Sequence, residues 1–308
     1  MVTFDFSFIS VIITIFLMIS FGIFIKKVFD IDIKTLSKLQ FYLLLPSTLF
    51  IKIYESELNG GVVRSVIVYN VLIIFLLTGI SFFIARFRGY SQSETSVFVN
   101  TSTYYNAGNY GLPLIQLLFN DPLAVSIQVI TMMMNNIMFF TLGIFTAGTG
   151  KRGPKRALVY VLRMPLLYII LVSILIKSTG IKIPTPLWDA LNILANSYIG
   201  VALLTLGAQL AETKFKLNNK RLYLTNFIRL IVSPIIGFFL VSLLGIHGLE
   251  ARVLVIAMGA PTAINVVISS IELENEPDFA AQAVFTSTLL SLITISIVIL
   301  AVFKLIPV

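Results

Sequence analysis

The sequence predicts an all-α membrane protein of ten transmembrane helices, built as two inverted five-helix repeats. Helices 4 and 9, the fourth of each repeat, are predicted to be broken and to cross. Three observations predict this fold. The 308 residues are 57% hydrophobic and only 12% charged, about half the charged share of soluble domains, and the mean hydropathy is +0.98. Apolar runs recur at the roughly 20-residue length that carries a helix across the hydrocarbon. Two of these runs hold clusters of Asn, Gly and Pro at mid-span, a composition that belongs to loops in a soluble domain.

In chain order the ten runs fall near 5–25, 35–54, 62–85, 93–118, 122–147, 156–177, 187–210, 220–245, 250–272 and 279–304. The first apolar stretch, Phe6–Ile25, is longer than a signal-peptide core and has no small-residue cleavage site, so it is read as a retained span. The separators are short and polar. The shortest is Asn120–Pro122, an Asn-Asp-Pro sequence that starts turns well.

Lys and Arg set the orientation. With the N-terminus outside, the odd-numbered loops are cytoplasmic. They and their margins hold Lys26, Lys27, Lys34, Arg86, Arg88, Lys151, Arg152, Lys155, Arg156, Lys214, Lys216, Lys220 and Arg221. The outer loops keep Lys52, Arg64, Lys177, Lys182 and Arg252. One inner loop, Glu272–Asp278, is wholly acidic, but acidic residues contribute little to this rule. Both termini are therefore predicted outside a plasma or inner membrane. Trp188 falls at the outer interface, where Trp anchors. The net charge of +8 follows from this loop bias and does not call for nucleic acid.

Residues 1–150 form the first repeat and 151–308 the second, divided by the basic loop Gly148–Arg156. Five spans per repeat is an odd number, so the second half enters the membrane inverted. Gly22–Lys26 (Gly-Ile-Phe-Ile-Lys) echoes Ser173–Lys177 (Ser-Ile-Leu-Ile-Lys). The interruption of the fourth span is Asn106–Pro113 in the first repeat and Gly259–Asn265 in the second. Corresponding broken spans in inverted halves point to a transporter site at the bilayer midplane. A lone Pro or Gly would only kink a helix, which membranes tolerate.

Broken helices expose charged ends. Pro113 suits a first helical turn, so a half-helix starting near Leu112 would aim free N–H groups and a positive dipole end at the break. Pro261 does the same for a half-helix beginning near Thr262. Two such ends would attract an anion such as a carboxylate. Asn106, Asn109 and Asn265 add neutral donors, and Gly108, Gly111 and Gly259 permit close backbone approach and unusual dihedrals. Tyr104, Tyr105 and Tyr110 line an aromatic body or pack between helices. Asn135, Asn136, Gln282 and Thr286 are read as interhelical hydrogen-bonding groups.

Absences narrow the chemistry. There is no cysteine and one histidine, His247, in a short outer turn, so thiol chemistry and Cys- or His-rich metal sites are excluded. No Asp or Glu lies mid-span, so a proton relay or sodium site built on buried carboxylates lacks its parts. Arg229, the deepest cation, is expected to snorkel to the inner interface. A centre without full positive charge favours a monoanion over a dianion. No enzyme motif, cofactor site or signalling domain is present.

The run Asn106–Leu114 (Asn-Ala-Gly-Asn-Tyr-Gly-Leu-Pro-Leu) resembles the fourth-span signature of the auxin efflux carrier family. That family includes the plant PIN-FORMED carriers and bacterial carriers of malonate, malate and related acids. Leu45–Phe50, Val201–Gly207 and Gly259–Thr262 resemble its second, seventh and ninth spans, so the likeness covers essentially the whole chain. It implies an inverted repeat related to the bile-acid symporter and sodium/proton antiporter folds. It also implies a scaffold of spans 1, 2, 6 and 7, a transport domain of spans 3–5 and 8–10, and a homodimer formed through the scaffold. By the same resemblance Asn106 and Asn265 flank the substrate and Ser47 faces it from the scaffold. The short loop after span five departs from the plant carriers, so their phosphorylation control does not carry over.

The expected protein is a lipid-embedded secondary carrier of an organic anion that moves its crossing against a scaffold. An anion-selective channel and a cation-coupled symporter that holds sodium on backbone carbonyls are the alternatives.

Overall fold

Helices account for all regular structure in the computed structural model, which describes residues 7–143, 165–213 and 220–307. The dividing basic loop, Lys214 and Lys216 lie outside the described residues. The elements are α1 (Ser7–Phe29), α2 (Ile33–Leu39), α3 (Leu45–Glu55), α4 (Gly60–Phe87), α5 (Gln92–Thr103), α6 (Leu112–Phe119), α7 (Pro122–Met138), α8 (Pro165–Thr179) and α9 (Thr185–Ala211). They continue with α10 (Lys220–Phe227), α11 (Ser233–Leu243), α12 (Gly248–Met258), α13 (Ile264–Glu272) and α14 (Pro277–Leu305). Among the described residues, six helical stretches are long and apolar enough to cross a membrane: 8–29, 60–87, 122–143, 185–211, 220–243 and 277–305. The runs at 35–54, 93–118 and 250–272 fold as shorter pieces, and the run at 156–177 is described only from residue 165.

Local chemistry sets the helix starts. Asp32 accepts the Lys34 and Thr35 N–H groups, and Asn59 accepts from Val62. Ser91 and Glu94 form a reciprocal capping box at the start of α5. The Asn-Asp-Pro separator works as expected: Asn120 turns left-handed at φ 47, Asp121 accepts from Leu123 and Ala124, and Pro122 opens α7.

Among the described residues, Pro46, Pro113 and Pro234 lie inside continuous helix, and each follows a π-helical turn. The turns are Gln40–Leu44 before Pro46, Ala107–Gly111 before Pro113, and Ile228–Val232 before Pro234. A proline ring clashes with the carbonyl four residues back. Widening the turn by one residue moves that carbonyl away and keeps the chain helical. Leu45, Leu112 and Ser233 each donate across the widened turn, to Gln40, Ala107 and Ile228.

Helix ends gather in two groups. Lys26 pairs with Glu212 at 3.2 Å, and Arg221 pairs with Glu94 at 3.1 Å and Glu276 at 2.6 Å. These contacts join the end of α1 to that of α9, and the starts of α5 and α10 to the turn before α14. Glu276, in the acidic 272–278 loop, thus has a cation beside it. The second group joins Lys177 to the Ser56 carbonyl, Ser65 to Glu250, and Arg252 to the Ile306 carbonyl at 2.9 Å.

α1 and α9 pack backbone against backbone. A Cβ at Gly22 would collide with the Leu204 carbonyl, and one at Gly207 with the Ile19 carbonyl. Glycine at both positions brings the backbones into direct contact, the small-residue packing that lipid solvent favours.

Candidate functional site

The two interruptions meet as a short antiparallel crossing. α5 ends at Thr103 and helix resumes at Ala107; α12 ends at Met258 and α13 begins at Ile264. Between them Tyr105 and Thr262 form an isolated bridge. Asn106 N–H donates to the Pro261 carbonyl at 2.8 Å, and Ala263 N–H donates to the Tyr104 carbonyl at 3.0 Å. The first break is therefore shorter and lies earlier than the expected Asn106–Pro113, whereas the second, residues 259–263, falls within the expected Gly259–Asn265. Tyr104–Asn106 is non-helical, whereas Ala107–Pro113, the greater part of the expected break Asn106–Pro113, is helical.

This changes the role of both prolines. Pro113 does not open the half-helix at the crossing; that helix starts at Ala107, with Asn106 capping it by accepting Asn109 N–H at 3.1 Å. Pro113 instead accounts for the π turn beneath the crossing. Pro261 lies in the extended link, two residues before the N-cap Ala263, and its carbonyl serves as an acceptor. The expectation of unusual dihedrals also fails, because Gly108, Gly111 and Gly259 all keep negative φ. Close approach is the reason for Gly111, where a Cβ would lie 2.6 Å from Gln128 Nε2.

Freed backbone groups at membrane depth need partners, and the neighbouring helices supply them. From α7, Gln128 donates to the Ala107 carbonyl at 2.9 Å and Asn135 to the Tyr105 carbonyl at 3.0 Å. The Thr262 hydroxyl donates to the Thr101 carbonyl at 2.9 Å, and Thr262 N–H to the Ser287 hydroxyl at 3.0 Å. Gln282 and Thr286 act between helices in part: Thr286 accepts from Asn226 at 2.8 Å.

Arg229 corrects the sequence reading most sharply. It does not snorkel. Its side chain is fully buried, and Nη1 donates to the Thr103 carbonyl at 2.6 Å while Nη2 donates to the Met258 carbonyl at 2.8 Å. Its guanidinium lies 5.2 Å from the centre of the Tyr105 ring. A full positive charge therefore stands at the crossing, on the C-terminal ends of both broken helices.

A cavity of about 250 Å³ lies against the other ends. Of the expected site residues, Asn106, Gly108, Asn109 and Asn265 line it; Ser47, Gly111, Pro113, Pro261 and Thr262 do not. The Ser47 hydroxyl is turned to its own helix, donating to the Leu43 carbonyl at 2.8 Å. Asn265 donates to Asn136 at 3.1 Å, and both line the cavity. The Asn106 amide nitrogen is buried without a hydrogen-bond partner, and no side chain caps α13 at Ala263.

Gln40 was not anticipated. Its amide donates to Asn109 Oδ1 at 2.6 Å and joins the π turn before Pro46 to the crossing. The signal was an amide within the apolar run 35–54, where a polar side chain calls for a partner. Ser37, Gln209 and Ile268 line the cavity near the helix ends tied by Lys26–Glu212 and Arg221–Glu276, so it extends from the crossing toward that face.

A family described as membrane transport protein matches residues 6–156 and 154–299. An uncharacterized transporter of Methanothermobacter thermautotrophicus is 26% identical over 86% of this chain and 87% of its own length. An uncharacterized transporter of Methanocaldococcus jannaschii is 23% identical over 94% of this chain and 96% of its own length.

Proposed function

The chain belongs to the membrane transport protein family, the auxin efflux carriers whose signatures it bears, and on that premise we propose that it is a secondary carrier of a small organic monoanion. The substrate sits in the cavity at the crossing, among Asn106, Asn109, Asn136 and Asn265. One observation carries this reading: the cavity lies at the N-terminal ends of both resumed helices, while the C-terminal ends face Arg229. Each helix N-terminus carries roughly half a positive charge, so two of them match one carboxylate. The amide side chains add donors without adding charge. Among the described residues, no Asp, Glu, Lys or Arg lines the cavity. The charge of Arg229 is engaged on the opposite side of the crossing, which supports a monoanion in the cavity.

The proposed architecture is ten spans in two inverted repeats, with α5–α6 and α12–α13 as the broken fourth and ninth. The scaffold is α1, α2–α3, α8 and α9, and the remaining helices form the moving domain. Gln40–Asn109 is then the polar contact between scaffold and substrate site, and it breaks and reforms in an elevator-like movement. The cavity extends toward the face whose loops carry most of the Lys and Arg, which supports an inward-facing conformation. Dimerisation through the scaffold belongs to the same proposal.

Counterflow tests the function. Proteoliposomes loaded with unlabelled monocarboxylate should take up labelled substrate transiently against its gradient, with saturation. Ohmic currents without saturation or counterflow would replace the carrier with a channel.

A further inference from the structure

Among the described residues Arg229 is the one cation at the crossing, and it is held by backbone carbonyls at the ends of both broken helices. We propose that Arg229 is a tethered counter-cation that occupies the place of a coupling alkali cation, so that the protein works without sodium. The flux consequence rests on the carrier reading above; the binding consequence does not.

The oxygen set supports this. Arg229 Nη1 faces the Ser102 carbonyl at 3.4 Å and the Thr103 carbonyl at 2.6 Å, both at the end of α5. Nη2 meets the Met258 carbonyl at 2.8 Å, at the end of α12, and the Ser233 hydroxyl. Three carbonyls and a hydroxyl converging from three helices form a donor set suited to a hard cation. Carbonyls of this kind, together with half-helix C-terminal ends, hold sodium where unwound helices meet.

The charge balance fits the same role. Two helix C-termini contribute roughly half a negative charge each, about one in total, and one guanidinium cancels it. Among the described residues no carboxylate pairs with Arg229, so the helix ends are its counter-charge. Burial of an unpaired cation is expensive, and here the helix ends, the Ser233 hydroxyl and the Tyr105 ring face compensate it. Tyr105 also lines the cavity, so it separates the guanidinium from the substrate space. A covalently held cation cannot leave with the substrate, which removes an ion gradient as driving force through this position.

Removing the guanidinium should uncover the site. Purified wild type, Arg229→Gln and Arg229→Lys are melted in sodium chloride and in choline chloride at matched ionic strength. Wild type and Arg229→Lys should melt alike in both salts. Arg229→Gln should melt about 3 °C higher in sodium, and labelled sodium should bind it at one site per chain. Sodium binding to wild type, or a folded Arg229→Gln that ignores sodium, overturns the proposal. If Arg229→Gln fails to fold, Arg229→Lys decides: indifference to sodium supports the proposal, and a sodium-dependent shift overturns it. None of these readouts needs a substrate, so they stand or fall apart from transport.

Discussion

The backbone N–H of Asn106 donates to the carbonyl of Pro261 at 2.8 Å, and this bond fixes how the two interrupted helices meet. With its partner bond from Ala263 to Tyr104, it gives each link a donor and an acceptor at membrane depth. The links are thereby held rigid, and the Asn106 side chain is free to cap one helix and face the cavity.

Asn106→Ala should therefore separate function from assembly. The backbone bond to Pro261 survives, while the cap on Asn109 N–H and the donor facing the cavity are lost. Cap loss costs about 1 kcal/mol, too little to unfold the protein. Membrane insertion should be normal in a fluorescence size-exclusion profile, and uptake should fall at least about tenfold, equivalent to about 1.4 kcal/mol.

Pro113→Ala tests the account of the π turn. An N–H at position 113 allows an ordinary α-helical bond to Asn109, so the widened turn can relax. Relaxation by one residue rotates the segment above it by about 100° and carries Asn109 away from Gln40. Thermal stability should be unchanged or raised, and transport should be lost. Wild-type transport in this variant would show that the π turn does not position the site.

How far the sequence was legible follows the same division. The Asn-Asp-Pro separator was readable because all three residues act on neighbours within four positions: a left-handed turn, an N-cap and a first-turn proline. The cluster in span four was readable as an interruption from composition alone. Its boundary was not, because whether Ala107–Pro113 coils or extends depends on Gln128 and Asn135 reaching in from α7. Arg229 was misread for a related reason. Snorkelling is what a lone helix would favour, whereas the carbonyl ends that hold Arg229 come from two distant segments. Asn106, Gly108, Asn109 and Asn265 reach the cavity; Gln40 was missed because its partner lies on another helix.

Gly207→Leu should damage α1–α9 packing before it touches the site. The new side chain points at the Ile19 carbonyl, which cannot yield without parting the helices. Overpacking of this kind costs about 1–3 kcal/mol, so the melting temperature should drop by several degrees and expression should fall. Gly200→Leu on the same helix, where the nearest atom is Met18 Cε at 3.8 Å, should be far milder.

Gln40→Leu removes the polar link between the proposed scaffold and the crossing. Asn109 then loses its 2.6 Å partner, and the inward-facing state loses one contact of about 1 kcal/mol. The chain has no cysteine, so a single cysteine placed at Ile268 reports exposure of the cavity. Its labelling from the basic-loop face should slow several-fold in the Gln40→Leu background.

The central claim is that the crossing binds a monoanion through helix ends and asparagines, and ligand-dependent melting tests it most directly. Purified wild type, Asn106→Ala and Asn265→Ala are melted against a panel of mono- and dicarboxylates. Wild type should be stabilised by a monocarboxylate and not by dicarboxylates of similar size, and both variants should lose that shift. A shift of the same size in Asn106→Ala and Asn265→Ala, or a preference for dicarboxylates, would contradict the account.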